Sequence, residues 1–364
     1  MTRRCSASLA AAVLLATLSP ACGPPPKPPE LPSLVWPTPP EVARYKLARV
    51  HIGEGDYEPP PSWFRRVFLG AKLPSEMVRL SFPLSVACHP AKDIVYVLDP
   101  KLRLILAFDE KAKKVRRYGL ATRGRLIHGV GLAVDEEGTV YASDGMAAKV
   151  YAYKADGSLD KVFGQKGDFH RPTGLAVDRP RGVLYVADSL KHQVFVVDLQ
   201  SGGLRATWGR RGSGPLEFNF PSFVAVDRKG NVLVADAMNF RIQVLSPDGK
   251  FVRSIGTAGN RPGNFFRLKG VAVDSENHYY AVDASFANFQ VFQDDGTLLL
   301  IVGQGGVNPG EFKLPAGICV GAGDLVWVAD QINGRIQGLQ YLKNAGPAPA
   351  PGPASAPASQ PGAR

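Results

Sequence analysis

Six copies of one segment recur along this chain at a spacing of roughly 45 residues, and this repeat restricts the fold more than any other feature. One copy reads Arg171-Pro-Thr-Gly-Leu-Ala-Val-Asp178, then Gly182-Val-Leu-Tyr-Val-Ala-Asp188, then Gln193-Val-Phe-Val-Val197. The next reads Phe220-Pro-Ser-Phe-Val-Ala-Val-Asp227, Asn231-Val-Leu-Val-Ala-Asp236, Arg241-Ile-Gln-Val-Leu245. Others centre on 130–135, 270–274 and 317–321, with a degenerate first copy at 84–89.

Each copy reads as an antiparallel meander of four strands. In the third copy these are 175–177, 183–186, 193–197 and 204–208, rich in Val, Leu, Tyr and Phe. Asp156-Gly157, Asp248-Gly249 and Asp295-Gly296 join strands three and four. Asp-Gly between apolar runs is a hairpin signal, because its backbone reaches the positive φ that the tight turn requires. One such sheet has two apolar faces and cannot stand alone. Six of them stacked around an axis cover every face. The sixth copy offers only 316–320, 325–329 and 336–341 before a tail rich in Ala and Pro, so its fourth strand is missing. The segment 44–51, Arg-Tyr-Lys-Leu-Ala-Arg-Val-His, has strand character and no partner of its own, and supplies that strand. Its rival is 65–70, which is read instead as part of a short amphipathic helix over 63–70. The predicted fold is all-β: a six-bladed β-propeller of four-stranded antiparallel blades, closed by an N-terminal strand.

The pattern Phe-x-x-Pro-x-Gly-[Leu/Val/Ile]-Ala-Val-Asp, then Tyr-Val-Ala-Asp, then Asn-x-Arg-Ile-Gln-Val resembles the NHL repeat, best at 169–197, 218–245 and 312–339. The resemblance covers nearly all of 84–342 and implies a six-bladed propeller. NHL propellers serve as RNA readers, docking platforms, lyases and cell-envelope proteins, so the resemblance leaves function open.

The ends divide the chain further. Arg3 and Arg4 precede the apolar run 9–18, which is too short to span a bilayer and suits a secretory signal. It ends in Leu18-Ser-Pro-Ala-Cys22, which resembles a bacterial lipobox but departs from it at Ser19, where Leu is expected. The reading is a lipoprotein signal peptide over 1–21, lipidation at Cys22 and a Pro-rich tether over 22–40. A closing strand and connecting segment follow over 41–83, then the propeller over 84–342 and an Ala/Pro-rich tail over 343–364. The expected location is the bacterial cell envelope on the periplasmic side, lipid-anchored, with the outer membrane favoured over the inner by Gly23 after the Cys.

Residues common to all copies are structural. Asp99, Asp144, Asp188, Asp236, Asp283 and Asp330 end strand two in every blade, as turn-fixing acceptors of backbone N–H groups. Function belongs where the copies differ. The histidines do not form a metal set: His128 and His170 are the only near-equivalent pair, and a catalytic zinc needs three protein ligands. The similar peptidylamidoglycolate lyase branch places zinc-binding His just after the Pro that opens strand one. Here Leu84, Thr173, Ser222 and Ala316 stand in those places. No cofactor is expected. Cys88 and Cys319 lie on opposite sheet faces of the first and last blades, so they can meet across the closure, although two separate buried thiols are the simpler reading.

Charge is the best functional clue. The six loops from strand four into the next strand one carry a net +8, against +11 for the whole chain. Arg123, Arg125, Arg171, Arg210, Arg211, Arg261, Arg267 and Lys269 supply it, with Phe169, Phe218, Phe265 and Phe266 interleaved. All six loops leave a propeller on one face, and a face of one sign attracts anions. The expectation is a non-enzymatic binding scaffold for an acidic protein or an anionic envelope polymer, touching the membrane only through its lipid anchor. The alternative is a metal-dependent lyase or hydrolase with its site in the central channel. The secretory signal argues against nucleic acid.

Overall fold

The computed structural model describes residues 31–57 and 77–343. Cys22, the signal region and the helix expected over 63–70 lie outside these residues.

Six antiparallel sheets surround a central channel. Blade 1 holds Ser85–Cys88, Ile94–Asp99, Leu104–Asp109 and Lys114–Tyr118, counted from the channel outward. Blade 2 holds Gly129–Val134, Val140–Asp144, Lys149–Tyr153 and Leu159–Phe163. Blade 3 holds Pro172–Asp178, Val183–Asp188, Gln193–Asp198 and Leu204–Trp208. Blade 4 holds Pro221–Val226, Val232–Asp236, Arg241–Leu245 and Phe251–Ile255. Blade 5 holds Leu268–Val273, Tyr279–Asp283, Asn288–Phe292 and Leu298–Val302.

Blade 6 is a composite. Pro315–Val320, Leu325–Asp330 and Arg335–Tyr341 come from the C-terminal end of the repeats, and Tyr45–His51 from the N-terminal side. Tyr45 pairs with Tyr341 and His51 with Ile336, which bears out the closure read from the missing fourth strand. Val35–Trp36 then adds a fifth strand against Tyr45 and Lys46. The Pro-rich stretch expected to be tether throughout 22–40 therefore becomes part of the sheet near its end. Val35 and Trp36 are the residues there that can join a ladder, because proline has no N–H to give.

The core consists of six apolar clusters, one per blade interface, because both faces of every blade must be covered. Between blades 1 and 2 lie Tyr96, Leu98, Leu132 and Val140. Between blades 6 and 1 lie Val97, Phe108, Trp327 and Ile336, so the seam where the ends meet is packed like the rest. Burying a side chain of this size contributes about 1.5–3 kcal/mol, and the blade interfaces hold most of this area.

Several repeat residues are explained by close approach. Gly209 ends strand four of blade 3 at φ 86°, and a Cβ there would lie 2.3 Å from the ring of Phe218. Gly256 and Phe265 repeat the arrangement one blade on, at φ 81° and 2.4 Å. The glycine thus turns the chain where a side chain is disfavoured and leaves room for the Phe that plugs the next interface. Phe169, Phe218 and Phe265 are buried in this role. They are core residues and not part of a binding surface, whereas Phe266 is exposed.

Candidate functional site

The strand-two aspartates build one face of the ring. Asp188 accepts hydrogen bonds from the backbone N–H of His170 at 2.7 Å, and from Leu190 and Lys191 at 3.1 and 3.0 Å. One carboxylate thereby fixes both the loop entering the blade and the turn leaving strand two. Backbone bonds tie the same two segments together. Met238 N donates to Asn219 O and Ile332 N to Lys313 O, at 3.0 and 3.1 Å. The inter-blade loops and the turns after strand two are therefore neighbours on one face, called upper below. Arg335 adds a brace: its Nε reaches Asp330 and its Nη2 reaches the carbonyls of Asn308 and Glu311 in the incoming loop.

On this upper face Arg123, Arg125, Arg171, Arg210, Arg211, Arg261 and Arg267 are all exposed. Arg210 is bound to Glu217, with Nη2 2.9 Å from Oε1. Among the described residues the other six have no carboxylate partner. Several arginines elsewhere are paired: Arg49 with Asp93, Arg181 with Asp178, Arg205 with Asp198 and Arg179 with Asp135. The turns after strand two add exposed apolar side chains to the upper face, a feature the sequence reading passed over. Met146 is 71% exposed, and Leu190, Met238 and Ile332 occupy equivalent positions in blades 3, 4 and 6.

Lys269 differs from the arginines with which it was grouped. It lies inside strand one of blade 5, Leu268–Val273, where the register shifts between Leu268 and Val271. It is half-buried near the start of that strand. Burial, then Arg267, then Arg171, push its amine below the ordinary lysine value. It also fills the blade 5 position matching Thr173 and Ser222, which the comparison of strand-one openings omitted.

His128 and His170 are not brought into a ligand set. Their backbone N–H groups serve Asp144 and Asp188, and His170 points to solvent. Among the described residues no three His, Cys, Asp or Glu side chains converge on one point. His89 replaces the aspartate that ends strand one elsewhere. Its Nδ1 accepts from Ala91 and Lys92 at 3.1 and 3.2 Å, and burial, aided by Lys92, lowers its pKa. The lower channel, about 220 Å³, is walled by strand-one residues such as Val86, Leu132, Leu175, Val224, Val271 and Ile318, with no ionisable side chain facing it.

Cys88 and Cys319 form a disulfide, with Cα atoms 5.9 Å apart. This corrects the expectation of two separate thiols. Opposite sheet faces on neighbouring blades turn both side chains into the same interface. The sequence reading also missed His51, Tyr57 and Glu110. His51 is stacked between Phe108 and Trp327, with ring centroids 4.8 and 5.2 Å away. Its Nε2 meets Glu110 Oε1, which also accepts from the Tyr57 hydroxyl at 2.6 Å.

Comparison with known proteins agrees with this architecture. A family model described as SMP-30/Gluconolactonase/LRE-like region matches residues 161–266. NHL repeat-containing protein 3 of Homo sapiens is 36% identical over 115 residues, 27% of this chain and 31% of that protein. Peptidylglycine alpha-amidating monooxygenase of Rattus norvegicus is 30% identical over 141 residues, 34% of this chain and 14% of that protein. The match thus spans less than a third of either relative. Among solved structures, a gluconolactonase of Xanthomonas campestris superimposes with a TM-score of 0.57 at 15% identity, covering 81% of this chain and 98% of that one. Repeat pattern, six closed blades and these likenesses agree on an SGL/NHL-like six-bladed β-propeller.

Proposed function

We propose that this protein is a binding scaffold of the cell envelope, anchored through Cys22, whose upper face holds an acidic protein. The observation that carries the reading is the concentration of exposed guanidinium groups on the upper face. Six of them there have no carboxylate partner, while Arg49, Arg179, Arg181 and Arg205 elsewhere are paired. Such a surface draws anionic partners and speeds their encounter. The exposed Met146, Leu190, Met238, Phe266 and Ile332 favour a protein over a bare anionic polymer. Arg, Met and aromatic residues among apolar neighbours are the composition of protein interfaces. The disulfide agrees with an oxidising compartment outside the cytosol.

The test places a photo-crosslinking residue at Met146 or Met238, or at lower-face Arg181, in cells carrying the anchored protein. One partner of low isoelectric point should be captured from the two upper positions only, and lost when Arg210, Arg211, Arg261 and Arg267 are changed to Glu. Equal capture from both faces, or capture indifferent to the charge reversal, would end this reading.

A further inference from the structure

The ring closure leaves open a groove that the repeat fills elsewhere. In blades 1, 2 and 4 the third residue of strand four is a cation that reaches the hairpin joining strands three and four of the next blade. Arg116 Nη1 donates to Ala155 O at 3.4 Å, Lys161 Nζ to Gln200 O at 2.6 Å and Arg253 Nη1 to Asp294 O at 2.5 Å. In blade 5 that residue is Leu300. The next blade is the composite one, whose strands Arg335–Tyr341 and Tyr45–His51 come from the two sides of the repeats and have no hairpin between them. Cation and hairpin carbonyl are thus both missing at this interface, and a cavity of about 670 Å³ stands there. The corresponding grooves between blades 2 and 3 and between blades 3 and 4 hold about 380 and 410 Å³.

The walls of this cavity combine apolar surface with separated charges. Blade 5 supplies Leu299 and Leu300, and the composite blade with its approach supplies Pro40, Val42 and Tyr341. His278 Nδ1 meets Asp274 Oδ2 at 2.9 Å, so Nε2 is the ring nitrogen left for the cavity. It accepts or donates according to its protonation. Glu276 is engaged: it accepts from the Tyr341 hydroxyl at 3.0 Å, and Lys343 Nζ lies 4.0 Å away. Glu41, Arg44 and Gln293 also line the cavity, and all three are exposed. Among the described residues their side chains have no hydrogen-bond or ion-pair partner. A carboxylate and a guanidinium that line one cavity without pairing can receive the opposite charges of one ligand, and the free amide of Gln293 suits a peptide group.

A cavity of this size with apolar walls and a few polar groups has the make-up of a ligand site. An apolar body that also carries an ammonium, a carboxylate and amides between them is the chemistry of a short peptide. We infer that the groove between blades 5 and 6 binds a short peptide with apolar side chains, its ammonium at Glu41, its carboxylate at Arg44 and its amides at Gln293 and His278. The inference does not rest on the scaffold reading, because the hairpins between strands three and four lie at the end of the blades opposite the upper face.

The experiment titrates the full chain by calorimetry with the peptide Ala-Leu-Ala, with the same peptide acetylated and amidated, with Ala-Ser-Ala and with free leucine. It uses the parent, Arg44→Gln, Leu300→Arg and the upper-face variant Arg123→Gln. Ala-Leu-Ala should saturate the parent one to one. Arg44→Gln, or capping both ends of the peptide, should weaken binding at least about fivefold. Leu300→Arg restores the cation of blades 1, 2 and 4, fills the groove and should abolish saturation. Arg123→Gln should change the affinity less than about twofold. Arg44→Gln should melt with the parent, because Arg44 is exposed and unpaired, so its lost affinity cannot be blamed on unfolding. Equal binding of the capped peptide would overturn the recognition of charged ends, equal binding of Ala-Ser-Ala the apolar walls, and equal binding of leucine the peptide. No saturation in the parent, or unchanged binding in Leu300→Arg, would overturn the site.

Discussion

His51 on the closing strand shares a buried hydrogen bond with Glu110 on blade 1, so the N-terminal strand is held to both sides of the seam. It pairs edge to edge with blade 6 and reaches into blade 1 through side chains. Arg49 follows the same route, with Nη1 2.8 Å from Asp93 Oδ1 and 3.6 Å from Glu110 Oε2.

This link makes stability depend on pH. Burial would lower the pKa of His51, but the Asp56 and Glu110 carboxylates raise it above 6.5. Burial would raise that of Glu110, but His51, Tyr57 and Arg49 bring it down to about 2. The His51 contribution is complete below pH 6.5 and is lost as pH rises through its folded value, because the folded state then holds the extra proton. The Glu110 contribution is complete above pH 4.5 and is lost as pH falls toward 2. The pair is whole between these limits. Unfolding free energy should fall above pH 6.5 by up to about 1.4 kcal/mol per unit, and His51→Gln should flatten that slope. Denaturant titrations at pH 5.5, 7 and 8.5 decide; identical slopes in parent and variant would exclude His51 as the cause.

Reduction should loosen the seam without abolishing the fold. The Cys88–Cys319 bond closes 231 residues, and disulfides typically contribute about 2–4 kcal/mol. Cys88→Ser should lower stability by that amount, and reductant should have no further effect on the variant. Far-ultraviolet dichroism at room temperature should stay unchanged, because the apolar seam and the strand pairing remain.

Removing residues 41–52 should cost far more. The outer edge of Arg335–Tyr341 would be left unpaired, and exposed ladders recruit other chains. Aggregation during purification, or a melting temperature lowered by more than ten degrees or so, is the expected result. A monomeric deletion variant melting with the parent would contradict the closure.

Two glycines separate backbone strain from packing. Gly209→Ala meets the Phe218 ring as well as a positive φ, whereas Gly167 at φ 93° has open space where a Cβ would stand. Gly167→Ala should cost about 1 kcal/mol and Gly209→Ala about 2–4 kcal/mol. Equal losses in chemical denaturation would show that the Phe218 contact contributes nothing.

What could be read in advance depended on locality. The repeat carries its own strand order, so the blades and their aspartates follow from sequence, and the absent fourth strand of the last copy points to 44–51. Cys88–Cys319 and His51–Glu110 exist only once the ring shuts: the sheet faces allow the first without requiring it, and no local pattern points to the second. Lys269 reads as a loop residue because blade 5 opens strand one on Leu268, where Pro172, Pro221 and Pro315 mark the start in other copies. Val35–Trp36 was masked by the prolines around it. The upper-face apolar residues were overlooked because Met146, Leu190, Met238 and Ile332 sit in turns, where polar residues are the usual choice.

The composite sixth blade also orders events in time. Tyr45 is synthesised first and Tyr341, its ladder partner, about 300 residues later. Until then the ring has two open edges, one at each end of the nascent chain. Blades 1 to 5 can assemble as they emerge, but the earliest strand must wait, unpaired, for the last. Truncated products of this chain are therefore the species most exposed to mispairing.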